Sequence, residues 1–305
     1  MKTVIRVGTR GSSLALAQTT EIIDSLKKIA PNIRYEIVPI KTSGDKMNDS
    51  GAVATEGKSV FTKEIEDSLI DGKVDLAVHS MKDLTTDQPA NIVIAAVPER
   101  VNPRDVLISR DKRKLQQLPG HARVGTSSAR RKAQLLSARS DLEIVGLHGN
   151  VETRLRKLEK GEYDAIILAA AGLIRLGLEK VVTEFLSTEV ILPAIGQGAL
   201  AVESRNDDQE FLDMVSKLEH EPSRRAIEAE RAFARKLGAD CLTPIAAFAR
   251  IEHGKLAMEG MVASASGKML LRSRIVSDNL KPSAVGEELA ESLLKQGAQI
   301  VLEAM

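Results

Sequence analysis

"RVGTRGSSLALAQ" at residues 6–18 returns, altered but in the same order, as "RVGTSSARRKAQL" at residues 123–135. Each copy reads as a short apolar strand, a Gly-Thr turn, serines able to cap, and an amphipathic helix. A second echo follows in each case. "GKVDLAVHS" from Gly72 and "GEYDAIILA" from Gly161 share a Gly-x-x-Asp entry into a buried strand with chemistry-capable residues just after it. Two echoes in the same order predict a duplicated α/β architecture, two similar halves in one chain. Such halves bind ligands beyond the carboxyl ends of their strands, where helix N-termini offer free N–H groups to anions. Thr9, Arg10 and Ser12 in one half, with Thr126, Ser127, Ser128, Arg130 and Arg131 in the other, would line one cleft with hydroxyls and guanidiniums. The arginine fork matches carboxylates and phosphates, so the implied substrate class is polyanionic. A solvated helix face is the competing reading of Arg130 and Arg131.

Outside the echoes, "SGDKMNDSGAVATEGKS" at 43–59 lacks periodicity and reads as a mobile loop of the kind that covers active sites. In "GNVETRLRKLEKG", Asn150 is a plausible N-cap and Arg154 lies one turn into the helix, near the same anion-binding end. After Pro193, "AIGQGALAVESR" leads into another apolar strand, where the chain could cross back between the halves. From Ser223 the pattern becomes a helix to Leu237, three alternating segments within Ile245 to Val276, and a closing helix from Ser283: a small α+β third domain.

Composition limits the function. The chain has 305 residues, 43% of them hydrophobic, enough for two or three domains with real cores. Lys plus Arg (43) nearly cancels Asp plus Glu (42), Trp is absent, and Phe (5) and Tyr (2) are few, so a nucleic-acid partner is not expected. A single cysteine excludes an internal disulfide and a multi-cysteine metal site, and no metal is expected. No stretch reads as a signal peptide or membrane span, so a cytoplasmic protein with no membrane partner is expected.

Three places invite chemistry. "VDLAVHSMKDL" closes a strand on His79, followed by Lys82 and Asp83, adjacent opposite charges able to bind an anion and to stabilise a cation. For His79 a packed, satisfied core group is the preferred reading. Cys241, on a loop after a basic helix, is either a small buried hydrophobe or a reactive thiolate.

"GTRGSSLALAQ", "FTKEIEDSLIDGKVDLAVHSMKDL", "GTSSARRKAQL", "GNVETRLRKLEKGEYDAIILAAAGLIRLG", "LPAIGQGALAVE" and "CLTPIAAFA" together resemble the porphobilinogen deaminase family, nearly collinearly along the whole chain. The resemblance implies a fold of two α/β domains similar to type II periplasmic binding proteins, 1–98 with 199–218 and 99–198, and a third α+β domain, 219–305. It implies a transferase of tetrapyrrole biosynthesis that deaminates four porphobilinogen molecules. These condense head to tail onto a dipyrromethane cofactor held by a thioether to Cys241, and hydroxymethylbilane is released by hydrolysis. Asp83 is the implied catalytic carboxylate. Arg10, Ser12, Gln18, Lys82, Thr126, Ser127, Ser128, Arg130, Arg131, His148, Arg154 and Arg175 are the implied cofactor and substrate binders, with Lys58 and Phe61 on or beside the loop. A monomer is expected. Three positions depart from the family pattern: His148 where arginine is usual, Asp240 where glycine commonly precedes the cysteine, and Ala54 near a usual lysine. A solute-binding or sensing protein is the rival reading, disfavoured because it has no need of a thiol-bearing third domain.

Overall fold

The computed structural model describes residues 2–45, 61–238, 243–278 and 281–303. The chain forms two compact units, Met1–Val101 with Ala199–Arg224, and Asn102–Gly198 with Arg225–Met305. Among the described residues no helix is long and apolar enough to cross a membrane.

The first unit is built on β1 (Val4–Thr9), β2 (Arg34–Pro39), β3 (Leu76–Ser80), β4 (Ile92–Ala96) and the late-arriving strand Leu200–Arg205. The second unit contributes β5 (Asp105–Ser109), β6 (Arg123–Gly125), β7 (Glu143–Val145), β8 (Ala165–Ala169) and β9 (Glu184–Phe185), so Leu200–Arg205 is β10. The two sheet orders are β2-β1-β3-β10-β4 and β7-β6-β8-β5-β9. They are the same pattern. In each, the strand of the RVGT echo is flanked by two parallel neighbours, and the fourth strand alone runs antiparallel. That reversed strand opens the second sheet as β5 and comes last to the first as β10.

The echoed residues explain why both halves fold alike. The backbone N–H of Arg6 donates to Asp75 Oδ2 at 2.9 Å, and that of Arg123 to Asp164 Oδ2 at 2.8 Å. In return the N–H of Asp75 reaches Arg6 O (2.8 Å) and that of Asp164 reaches Arg123 O (2.9 Å). The two echoes are thus the two sides of one strand pairing, made twice. Both RVGT glycines sit where a side chain would be crowded: a Cβ on Gly125 would stand 2.8 Å from the Tyr163 ring, which would have to shift, and one on Gly8 a tight 3.1 Å from Val74 Cγ2. Gly72 (φ 68°) and Gly161 (φ 77°) end their helices in the left-handed region, their N–H groups returning to Leu69 O and Leu158 O.

Each sheet is covered on both faces. Ile5, Val7, Leu76, Val78 and Val202 pack against Ile22 and Leu26 of the helix Ser13–Ile29 and against Phe211 and Met214, while Ala77 and Ile92 meet Ile65 and Leu69 of the helix Lys63–Ile70. In the second sheet Leu107, Val124 and Ile167 face one way and Val106, Ile166 and Leu168 the other. Burying each such large apolar side chain is worth about 1.5–3 kcal/mol.

The second unit also holds an antiparallel sheet of β11 (Ile245–Glu252), β12 (Lys255–Ala263) and β13 (Leu270–Ser277), covered by the helices Glu221–Lys236, Pro282–Lys295 and Ala298–Glu303. Phe233, Val285, Leu289 and Leu293 pack on Ala247, Ala249, Leu256 and Met258. The first hairpin turns on His253 (φ 50°) and Gly254 (φ 78°), the conformation that two-residue hairpins favour. Glu230, fully buried, accepts from Gly196 N (2.7 Å) and Ala249 N (2.8 Å), so one carboxylate ties a long helix to both β11 and the Gly-Gln-Gly segment.

Candidate active site

In the first unit the carboxyl ends of β1 and β3 open on a pocket lined by Arg10, Ser12, Gln18, Phe61, His79, Ser80 and Asp83, among others. Ser12 caps the helix Ser13–Ile29, its Oγ accepting from Ala15 N at 3.3 Å. One helical face inward, Gln18 Nε2 donates to Ser80 Oγ at 2.8 Å, binding the end of β3 to that helix. β3 then tightens into a 3-10 turn, Met81–Asp83, which buries Met81 and brings Asp83 to the pocket while Lys82 is exposed. Arg10 stacks on the Phe61 ring at 4.3 Å and donates to Asp45 Oδ1 from Nη2 (2.5 Å) and Nε (3.1 Å). Burial opposes the charge on Asp45, but hydrogen bonds from Arg10 and Thr42 outweigh it and hold the carboxyl below the ordinary carboxylate range. The guanidinium therefore already presents itself to a carboxylate, one supplied by the chain.

The second unit concentrates more charge. Thr126, buried, follows β6 directly; its N–H donates to Val145 O at 2.9 Å and its Oγ1 accepts from Ser128 N at 3.2 Å. Ser128 Oγ caps the next helix by accepting from Arg131 N at 3.4 Å. Arg130 and Arg131 are no solvated helix face: they are 5% and 6% exposed. Both close on Asp105, the first residue of β5. Arg130 Nη1 donates to Oδ2 at 2.7 Å, and Arg131 donates from Nη2 (2.7 Å) and Nε (3.0 Å) to Oδ1. Gln197 Nε2 adds a fourth donor at 3.0 Å. Burial alone would raise the Asp105 carboxyl, but the two guanidiniums more than reverse this and keep it ionised, well below the carboxylate range. Burial, with repulsion from Arg131, lowers Arg130 in spite of Asp105.

Asn150 caps the helix Val151–Glu159 by accepting from Thr153 N at 2.9 Å, which sets Arg154 one turn in. Arg154 donates to Gly149 O at 2.7 Å, and no carboxylate contacts it among the described residues. Burial first, then the charge of Arg131, push it down to about 10. Arg130 and Arg131 thus share one carboxylate while Arg154 contacts none among the described residues, a surplus of positive charge suited to an anionic ligand. His148 is exposed, its Nε2 3.0 Å from Ser127 Oγ, which also accepts from Leu147 N (2.9 Å) and lies 3.0 Å from Leu147 O. Arg175 Nη2 donates to Gly198 O at 3.3 Å. Lys58, Ala54, Asp240 and Cys241 lie outside the described residues, as does most of the 43–59 loop.

The model of the porphobilinogen deaminase dipyromethane cofactor binding domain matches residues 5–213, and that of the porphobilinogen deaminase C-terminal domain matches residues 225–295. The chain belongs to the porphobilinogen deaminase family. Its relatives include the porphobilinogen deaminases of Pelotomaculum thermopropionicum (47% identical, covering 99% of this chain and 97% of that one) and Brevibacillus brevis (47%, 97% and 96%). That of Thermus thermophilus is also 47% identical, over 98% of each chain. Among solved structures, the periplasmic VFT2 domain of Bordetella pertussis BvgS is 12% identical over 71% of this chain and 86% of that one, with a TM-score of 0.43.

A dipyrromethane, which carries several carboxylates, suits the donor set at the second sheet, where guanidinium outnumbers carboxylate. Sequence reasoning about a porphobilinogen deaminase missed the acidic partners. Asp45 and Asp105 organise the arginines; Asp45 lies at the start of the 43–59 stretch, which reads only as a covering loop, and Asp105 lies in none of the quoted motifs. Asp105 did leave one signal, a charged residue opening the wholly apolar run "VLI".

Proposed function

We propose that this chain deaminates porphobilinogen and condenses four molecules of it, head to tail, onto a dipyrromethane anchored by Cys241, releasing hydroxymethylbilane. The observation that supports the reading best is the surplus of guanidinium at Arg130, Arg131 and Arg154 over Asp105, because the growing product accumulates carboxylates that repel one another unless cations offset them. Arg131 and Arg154, with Thr126 and Ser128 at the helix start, would hold acidic side chains of cofactor and product. Arg10 and Ser12 would do so at the first sheet, with Gln18, Lys82, Ser127, His148 and Arg175 in support. Arg130 contributes chiefly through the field it shares with Asp105. When bound, the dipyrromethane supplies the pyrrole carbon from which the chain grows. Loss of ammonia from porphobilinogen leaves an electron-poor, cationic fragment, and the Asp83 carboxylate in the pocket would stabilise that charge as it develops. Lys58 and Phe61 would border the covering loop.

We read the chain as three domains, 1–98 with 199–218, 99–198, and 219–305; three separate sheets support this division. We also read the protein as a cytoplasmic monomer. The decisive test is intact-protein mass spectrometry together with porphobilinogen consumption. The purified protein should consume the substrate and carry a mass excess of two linked pyrrole units that disappears in Cys241→Ser. Full activity at unmodified mass would reject the anchor.

A further inference from the structure

Glu66, His79 and Glu203 form a second charged cluster, beside the Asp83 pocket and built quite differently from the arginine site. They come from the helix Lys63–Ile70, from β3 and from β10, and are 6%, 5% and 0% exposed. The antiparallel register sets Ala77 opposite Glu203 and His79 opposite Ala201, which places His79 and Glu203 on the same face of the sheet. That face is covered by the helix carrying Glu66, whose Ile65 and Leu69 pack with Ala77. His79 Nε2 is 3.2 Å from Glu203 Oε2. Among the described residues, none makes a hydrogen bond of good geometry to either Glu203 oxygen or to Glu66 Oε1. Asp105, equally buried, has four N–H donors.

The surrounding charges do not repair this. Asp67, next on the same helix, adds negative charge. Glu64 accepts from Ser43 N at 2.8 Å, and Arg205 on β10 donates to Leu69 O (2.6 Å) and Val74 O (2.9 Å). Arg10, the arginine lining the pocket, is held by Asp45. A carboxyl buried beside a second one, with no cation placed to offset it, favours the neutral acid, and among the described residues Glu66 is in that position. Burial first, and then repulsion from Glu203, raise Glu66 above the ordinary glutamate range.

We propose that Glu66, His79 and Glu203 form a buried proton relay for the deamination step, with His79, which lines the pocket together with Asp83, as its outlet. The proposal rests on the porphobilinogen reading above. As the aminomethyl C–N bond of porphobilinogen breaks, its electron pair leaves with nitrogen, which takes one proton from the relay. Each carbon–carbon bond formed afterwards releases one proton, which refills it. The relay ends each cycle as it began, and nothing is oxidised or reduced. Glu66 and Glu203 act through His79 and are positioning residues.

Glu66→Gln is the discriminating variant, because an amide imitates the neutral acid in size and hydrogen bonding but cannot exchange its proton. With purified wild type and variant, pH-dependent infrared difference spectra should show a protonated carboxyl carbonyl band that the variant lacks. The kcat of the variant should fall about tenfold or more, with its pH profile altered and KM within about twofold; direct acid–base catalysis is worth roughly 100- to 10,000-fold, and this group acts at one remove. A purely structural cluster predicts wild-type kcat and profile, and that result overturns the relay. So does a missing carboxyl band in the wild type, or a Glu66→Gln protein that fails to fold. If the wild type does not consume porphobilinogen, the functional reading falls, while the infrared band still decides whether the cluster stores a proton.

Discussion

Replacing Asp105 with asparagine keeps the side chain's shape and removes the one negative charge among three guanidiniums. In the wild type Oδ1 accepts three N–H groups, two from Arg131 and one from Gln197, and Oδ2 accepts one from Arg130. An asparagine oxygen can serve one of these positions. Its NH2 then faces either Arg130 Nη1 or the Arg131 pair, donor against donor. Arg130 and Arg131 stay buried without a counter-ion, a situation that costs about 3–5 kcal/mol where one partner of a buried pair is removed. In urea this corresponds to a drop in midpoint of roughly 1–2 M for the second unit, followed by far-UV circular dichroism because the chain has no tryptophan. The pH dependence has a definite sign. Asp105 has its carboxyl depressed in the folded state, so its contribution is complete above the unfolded value of about 3.9 and is lost as pH falls below it. The gap between wild type and variant should therefore be full at neutral pH and narrow below about pH 4. A gap under about 1 kcal/mol at neutral pH, or one that does not change with pH, would refute the claim that this carboxylate organises the site.

Arg154→Gln should separate stability from binding. Since burial and Arg131 disfavour the Arg154 charge, the ligand-free variant should be more stable by about 1 kcal/mol after loss of the bond to Gly149 O is allowed for, while KM rises tenfold or more; a destabilised variant with unchanged KM contradicts this. Asp83→Asn preserves size but not charge, so turnover should fall on the order of a hundredfold or more with a much smaller change in KM, and turnover within a few-fold of wild type rejects the role. Glu66→Gln should also remove a pH dependence of stability. Raised in the folded state, Glu66 costs the wild type stability as pH climbs from the ordinary glutamate value toward its folded one, and thermal melts of the variant should lack that decline.

Whatever depends on neighbours a few residues apart was legible in the sequence alone. The RVGT and Gly-x-x-Asp echoes announced two like halves, and Ser12, Ser128 and Asn150 could be read as caps because a cap bonds only two or three residues ahead. The antiparallel sheet of β11, β12 and β13 followed from alternation and from turn residues. The motifs also carried the family, since several of them survive intact. Tertiary structure decided how the charges are paired. Arg10 meets Asp45 across 35 residues, Arg130 meets Asp105 across 25, and His79 meets Glu203 through the register of two antiparallel strands. No periodicity encodes such pairings, because they follow from sheet order: β5 and β10 each enter a sheet as its one reversed strand, and only that placement sets Asp105 against the arginines and Glu203 against the histidine. Burial then makes those partners count, since a carboxylate that water would screen on the surface acts at full strength once water is excluded.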